Sequence, residues 1–334
     1  MKLLPVAFVC TLAAGSAAAQ SRDLTLWVTL GDSDQLVEVD PYEYREIRRI
    51  KVDPKPHGLA VSEDGSRVYL ASDRTGNFQV VDARTGRITG QINIGHDPNQ
   101  MTLTRDGRFA YVPVRGDNRI AVVQLDPLRL VKLLPSPPGP HDAYTSADGT
   151  RIYVGAQYGN AIVVIDPATQ SVLHTIPTPA GVRPLRPTAD GKTLYVALSD
   201  LIGFVTVDPA TRQVTRRVQL DSLPEGVPVP YKDTWTHDLQ LADGERELWV
   251  TDDVHDLIRV VRLSDMTEVA RIRTGHFPHW FAMPPDGRVV FVSLWFSHAV
   301  AVIDVPSRKV LRNIQFELGS GPKRIAIAKR ARGG

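Results

Sequence analysis

An aromatic residue followed by Val or Leu returns along this chain at a fixed step: Trp27, Tyr69, Tyr111, Tyr153, Tyr195, Trp249 and Phe291. Successive positions differ by 42 residues, except Tyr195 and Trp249, which differ by 54. The copies read WVTL, YLAS, YVPV, YVGA, YVAL, WVTD and FVSL. An Asp-Gly pair precedes six of them, at Asp64, Asp106, Asp148, Asp190, Asp243 and Asp286, and an Asp closes the next run at Asp40, Asp82, Asp126, Asp166, Asp208 and Asp304. Within one copy, Pro56–Gly95, four apolar runs (Leu59–Val61, Val68–Ala71, Phe78–Val81, Ile88–Ile94) are separated by Gly, Asp and Asn punctuation. Alternation and β-branched residues make each run a strand. A lone four-stranded meander cannot bury both its faces, so it needs copies of itself. A period near 42 with four strands per copy predicts blades around a central axis.

The chain ends predict how the array closes. The first copy begins at its second strand, Leu24–Leu30, and the C-terminus carries a lone first strand, Lys323–Ala328. Pairing the two completes one blade and removes the open sheet edges of a linear array. The expected fold is all-β: a seven-bladed β-propeller of four-stranded antiparallel blades, closed by a blade shared between the termini, forming one domain over 21–334.

Residues 1–20 are set apart. Lys2, the apolar run Leu3–Ala14 and Ala17–Ala19 have the layout of a cleaved secretory signal peptide, with an apolar run too short to span a bilayer. Cys10, the single cysteine, would leave with it, so no disulfide or thiol chemistry is expected in the exported protein. Removing Lys2 from 39 basic residues leaves 38 against 37 acidic ones, a balance that argues against a nucleic-acid partner. A periplasmic or secreted monomer without a transmembrane segment is the expectation.

The repeated motif resembles that of the YVTN family of bacterial seven-bladed propellers, over essentially the whole mature chain. All seven copies depart from it at the fourth position, where none keeps the Asn. The resemblance implies the fold. It spreads function over binding proteins, haem-carrying propellers similar to those of periplasmic nitrite reductases, and lactonase-like enzymes.

Counting twelve residues back from each aromatic reaches the start of the innermost strand, at His57, Asn99, His141, Arg183, His237 and His279, with Lys323 supplied by the C-terminus. Blade symmetry places these seven around the channel mouth, at a rim that solvent reaches. Four histidines suit a transition metal (Cu, Zn or Fe) or a haem-like cofactor, whereas the positive charges of Arg183 and Lys323 suit an anionic ligand, with Asn99 a further ligand-binding candidate. A repeat array also copies residues by duplication alone, so a purely structural ring stands beside both readings. Asp142 and Asp238 follow two of the histidines, but strand neighbours point to opposite faces and are not expected to support them. The twelve extra residues fall in Asp221–Thr236, whose Tyr231 and Trp235 are candidates to cover a ligand.

The connectors between second and third strands reach the same face. They bring Asp32, Arg74, Arg115, a DDVHD run with metal-ligand character (Asp252, Asp253, His255, Asp256) and an apolar Leu294–Phe296 run. No Gly-rich phosphate loop, HExxH, GxSxG or CxxCH occurs. Two functions follow: a binding protein that takes a ligand, cofactor or protein partner at the His/Arg-lined face, or an enzyme there, metal- or haem-dependent or lactonase-like. No catalytic residue can be assigned, since no nucleophile or fixed His–carboxylate pair is visible.

Overall fold

The computed structural model describes residues 23–223, 225–226 and 234–331. It contains seven antiparallel sheets of four strands each. The copy singled out above forms β4 (Pro56–Val61), β5 (Arg67–Ser72), β6 (Asn77–Asp82) and β7 (Ile88–Asn93), hydrogen-bonded in that order. The closing sheet joins β28 (Pro322–Lys329) to β1 (Leu24–Leu30), with Trp27 opposite Ala326 and Leu24 opposite Lys329. The shared blade is therefore present.

The core lies between sheets. The Trp27 side chain, fully buried, packs with Leu59, Val68, Leu70 and Val81 of the next blade, and Phe291 packs with Leu26, Val28 and Trp280. Burying each such side chain stabilises the fold by roughly 1.5–3 kcal/mol. The aromatic of every repeat is thus the wedge that joins one blade to another. The Asp-Gly turns are structural. Asp64 Oδ1, for example, accepts from the Ser66 N–H at 3.0 Å and Asp148 Oδ1 from the Thr150 N–H at 3.0 Å.

One irregularity positions everything that follows. The innermost strands slip register on their partners between Pro56 and Gly58, Pro140 and Ala143, Val182 and Leu185, and Pro278 and Phe281. A bulge re-aims side chains and frees backbone N–H groups that then need acceptors. Three blades supply the acceptor from the third position of the aromatic motif. Thr29 Oγ1 accepts from the Arg324 N–H at 3.0 Å, Thr251 Oγ1 from the His237 and Asp238 N–H groups at 2.8 and 3.0 Å, and Ser293 Oγ from the Trp280 N–H at 3.0 Å. In another blade that position is Gly155, where a Cβ would lie 2.9 Å from the Arg183 carbonyl oxygen. Only glycine lets the neighbouring bulge come so close.

Candidate functional site

The seven equivalent residues are all present at the axis, but they are not at a solvent-reached rim. His57, Asn99, His141, Arg183, His237, His279 and Lys323 are each exposed by 4% or less. The bulges turn them inward, and the connectors bring Asp73, Asp253 and Trp295 against them. His57 Nδ1 lies 2.8 Å from Asp73 Oδ1, Lys323 Nζ lies 3.6 Å from Asp73 Oδ2 and 5.1 Å from the Trp295 ring, and His279 and Trp295 have ring centroids 4.9 Å apart.

Arg183 is the centre of this ring. Its Nε and Nη2 donate to His141 Nε2 at 3.2 and 3.0 Å, and its Nη1 donates to His237 Nε2 at 2.6 Å. A neutral imidazole that accepts at Nε2 must carry its proton on Nδ1. His237 Nδ1 accordingly donates to Asp253 Oδ2 at 2.5 Å, and His141 Nδ1 lies 3.0 Å from Asp142 Oδ1. Asp142 in turn pairs across the channel with Arg324, whose guanidinium stacks on Trp280 at 3.0 Å. Asp253, His237, Arg183, His141, Asp142 and Arg324 thus form one polar chain through the axis.

Contrary to the alternation argument, Asp142 lies against His141, because the bulge at Pro140–Ala143 lets two successive side chains meet, although His141 Nδ1 makes no hydrogen bond there. Asp238 does face elsewhere. Its Oδ1 accepts from Arg186 Nη2 at 2.8 Å and its Oδ2 from the Phe281 N–H at 2.9 Å. Sequence reasoning missed Asp73 and Arg324. The signal for Arg324 was a charged residue in a strand otherwise destined for burial.

Other candidates separate. In the DDVHD run, Asp252 binds Arg259 Nε at 2.7 Å, Asp256 binds His276 Nδ1 at 2.8 Å, and only Asp253 joins the ring. Trp235 is buried at 4%, and its carbonyl accepts from the Asp253 N–H at 3.2 Å. Tyr231 lies outside the described residues. In the Leu294–Phe296 run, Trp295 Nε1 donates to Asp32 Oδ2 at 3.0 Å, so only Phe296 is exposed. Two cavities of about 800 and 830 Å³ open among the Asp-Gly turns and are lined by none of the ring residues. The ring is marked by its buried polar chemistry, and that is the better guide to function here.

The fit to a metal or macrocycle is poor. Arg183 occupies the Nε2 lone pairs of His141 and His237, and among the described residues no group of three or more His, Cys, Asp or Glu side chains is placed to hold a metal ion. The His237 and His279 rings stand 3.8 Å apart, and His57 and His141 meet edge to face at 5.6 Å. Neither pair leaves a slot for a planar cofactor.

Residues 18–186 match the family model described as YNCE-like beta-propeller, which is half of the chain. The chain belongs to the YNCE-like β-propeller family. That match does not carry the name of the YVTN repeat which the motif resembles. Residues 167–322 match a second model, described as Lactonase, 7-bladed beta-propeller. No match is found among curated protein sequences. Among solved structures, the YNCE-like propeller is similar to Kuenenia stuttgartiensis hydrazine synthase, at 20% identity and a TM-score of 0.74, covering 84% of this chain and 92% of that one. It is similar to a putative 6-phosphogluconolactonase from Bacteroides fragilis at 14% identity and a TM-score of 0.75, covering 93% and 99%. It also resembles a dihydro-heme d1 dehydrogenase at 14% identity and a TM-score of 0.67, where 88% of this chain spans 64% of the other's length. At these identities the likeness is one of fold. No helix among the described residues is long and apolar enough to cross a membrane.

The buried ring gives this YNCE-like propeller a defined pH response. Burial, and then the charge of Arg183, holds His141, His237 and His279 well below the ordinary histidine value. As pH falls below 6.5 the unfolded chain takes up three protons that the folded chain refuses, so stability is lost. Two carboxyls act in the opposite sense. Burial pushes Asp238 up to about 6 and Asp253 well above its ordinary value, so the folded chain takes those protons first. Burial also lowers His174, outside the ring, so the histidines outweigh the two carboxyls and stability falls as pH drops from about 6 toward 4. Urea unfolding at pH 7, 6 and 5 measures it. A flat profile would mean that the folded ring accepts protons as readily as the unfolded chain.

Proposed function

We propose that this propeller binds a small anionic molecule at the Arg183 end of its axis, and that it does so after export by the leader at residues 1–20. The observation that carries this reading is the state of Arg183. It is 1% exposed, it makes no ion pair among the described residues, and its side-chain partners are two neutral imidazoles. Burial lowers its acid constant to about 10, which still leaves it charged at neutral pH. A buried cation without a direct counter-ion is costly, and a carboxylate or phosphate beside it removes that cost. Lys323, paired with Asp73, lies on the same ring.

The test is a thermal-shift titration with phosphate, pyrophosphate and succinate. The wild type should be stabilised by at least one of them, in proportion to its occupancy. Arg183→Met should weaken that binding about a hundredfold, as for loss of a buried charged partner. Equal shifts in both proteins, or none in the wild type, would refute the anion reading. Titration with zinc, copper and iron in parallel tests the histidine–metal alternative, for which Arg183 would have to withdraw.

A second reading is favoured by one contact. Asp253 and His237 form a fixed carboxyl–imidazole pair of the kind that orients a general base, which could act once Arg183 releases His237 Nε2, and the lactonase-model match spans both along with Arg183 and His279. In that reading the anion site holds an ester or lactone substrate. Turnover of a δ-lactone that disappears in His237→Gln would establish it.

A further inference from the structure

Three blades carry a residue other than His in the ring, Asn99, Arg183 and Lys323, and the blade of Asn99 also supplies Arg115 from its connector. Both side chains hang on one residue, Asp97. Arg115 Nε donates to Asp97 Oδ2 at 2.7 Å and Arg115 Nη2 lies 2.6 Å from it, while Asn99 Nδ2 donates to the Asp97 carbonyl at 3.2 Å and lies 3.4 Å from Asp97 Oδ1. The backbone locks the pair in place, with the Arg115 N–H on the Asp97 carbonyl at 3.1 Å and the Asn99 N–H on the Pro113 carbonyl at 2.7 Å.

What remains is one acceptor and one donor. Asn99 Oδ1 and Arg115 Nη1 are both buried and have no hydrogen-bond partner in the protein, on residues exposed by 0% and 7%. The amide orientation of Asn99 follows from the bond to the Asp97 carbonyl, so Oδ1 is the atom left over. Burial is the main cause of the lowered acid constants of His141 and Arg183, and Arg115 is among the charges that add to it. The pair therefore shares the electrostatic environment of the proposed anion site.

We propose that Asn99 and Arg115 are specificity-determining residues of that site, and that its ligand carries, beside the anion, a group that both donates and accepts one hydrogen bond. This rests on the anion reading above. A hydroxyl or a primary amide has that chemistry, and a methylene has none. Buried polar atoms left unmatched make a site reject the analogue that lacks the group, far more strongly than an apolar pocket could.

The experiment compares three four-carbon acids by calorimetry: succinate, malate with its added hydroxyl, and succinamate with its amide. Malate or succinamate should bind the wild type at least ten times more tightly than succinate, and which of the two wins identifies the group. Asn99→Leu should bring the affinities for the three acids together, removing the preference. If Leu does not fold, Asn99→His places there the residue that four other blades carry, and should also lose the preference. Equal affinity of the wild type for all three acids would overturn the proposal and leave the anion site standing. No binding of any of them would count against both.

Discussion

Removing residues 320–334 should leave this propeller unable to fold. The truncation takes away β28, which pairs with β1 from Leu24 to Leu30 and places Ile325 in the cluster of Leu26, Val28 and Trp280. Truncating one buried Ile alone costs about 2–5 kcal/mol. Here a whole inner strand goes, together with Arg324, the partner of buried Asp142, and two sheet edges open. The loss should reach or exceed the roughly 5–15 kcal/mol that holds a typical domain folded. Circular dichroism and size-exclusion chromatography should show an aggregated, unfolded chain. A truncated protein melting within a couple of degrees of the full-length one would contradict closure through the shared blade.

The next largest effect is expected from Asp142→Ala. Asp142 is fully buried, and burial alone would raise its acid constant, but Arg324 and His141 hold it down at about 2. The carboxylate is therefore charged at neutral pH and balances Arg324 directly, with Arg183 nearby. Removing it leaves a buried guanidinium without its counter-ion, which costs about 3–5 kcal/mol. Combining Asp142→Leu with Arg324→Met should restore much of that loss, since an apolar pair of similar volume bears no uncompensated charge. Chemical denaturation of the two single variants and the double variant measures the coupling. Strictly additive losses would mean that the bridge across the axis contributes nothing.

Most of the architecture was readable in the repeat. The step between Trp27 and Phe291, the Asp-Gly turns and the lone strand at Lys323–Ala328 are all consequences of one unit copied and closed. The positions of His57, Asn99, His141, Arg183, His237, His279 and Lys323 at the axis were also readable, since a residue count suffices when blades are equivalent. What the count could not supply was the inside of the ring. Alternation puts His141 and Asp142 on opposite faces, but the bulge at Pro140–Ala143 brings them together. Exposure was misjudged for a related reason: Asp73, Asp253 and Trp295 arrive from connectors whose course no periodicity describes. That Arg183 lies between two histidines, and uses the lone pairs a metal would need, is a fact of side-chain direction rather than of spacing.

Arg183 is a charged group cradled by two neutral imidazoles. Nitrogen-15 NMR of the histidine side chains at pH 7 tests this arrangement most directly, because tautomer and charge each leave a distinct pair of ring-nitrogen shifts. His141 and His237 should both be neutral, with the proton on Nδ1 and Nε2 accepting, and addition of a bound anion should perturb both Nε2 signals. An Nε2–H tautomer or an imidazolium at either position would contradict the account, since neither form can accept from Arg183.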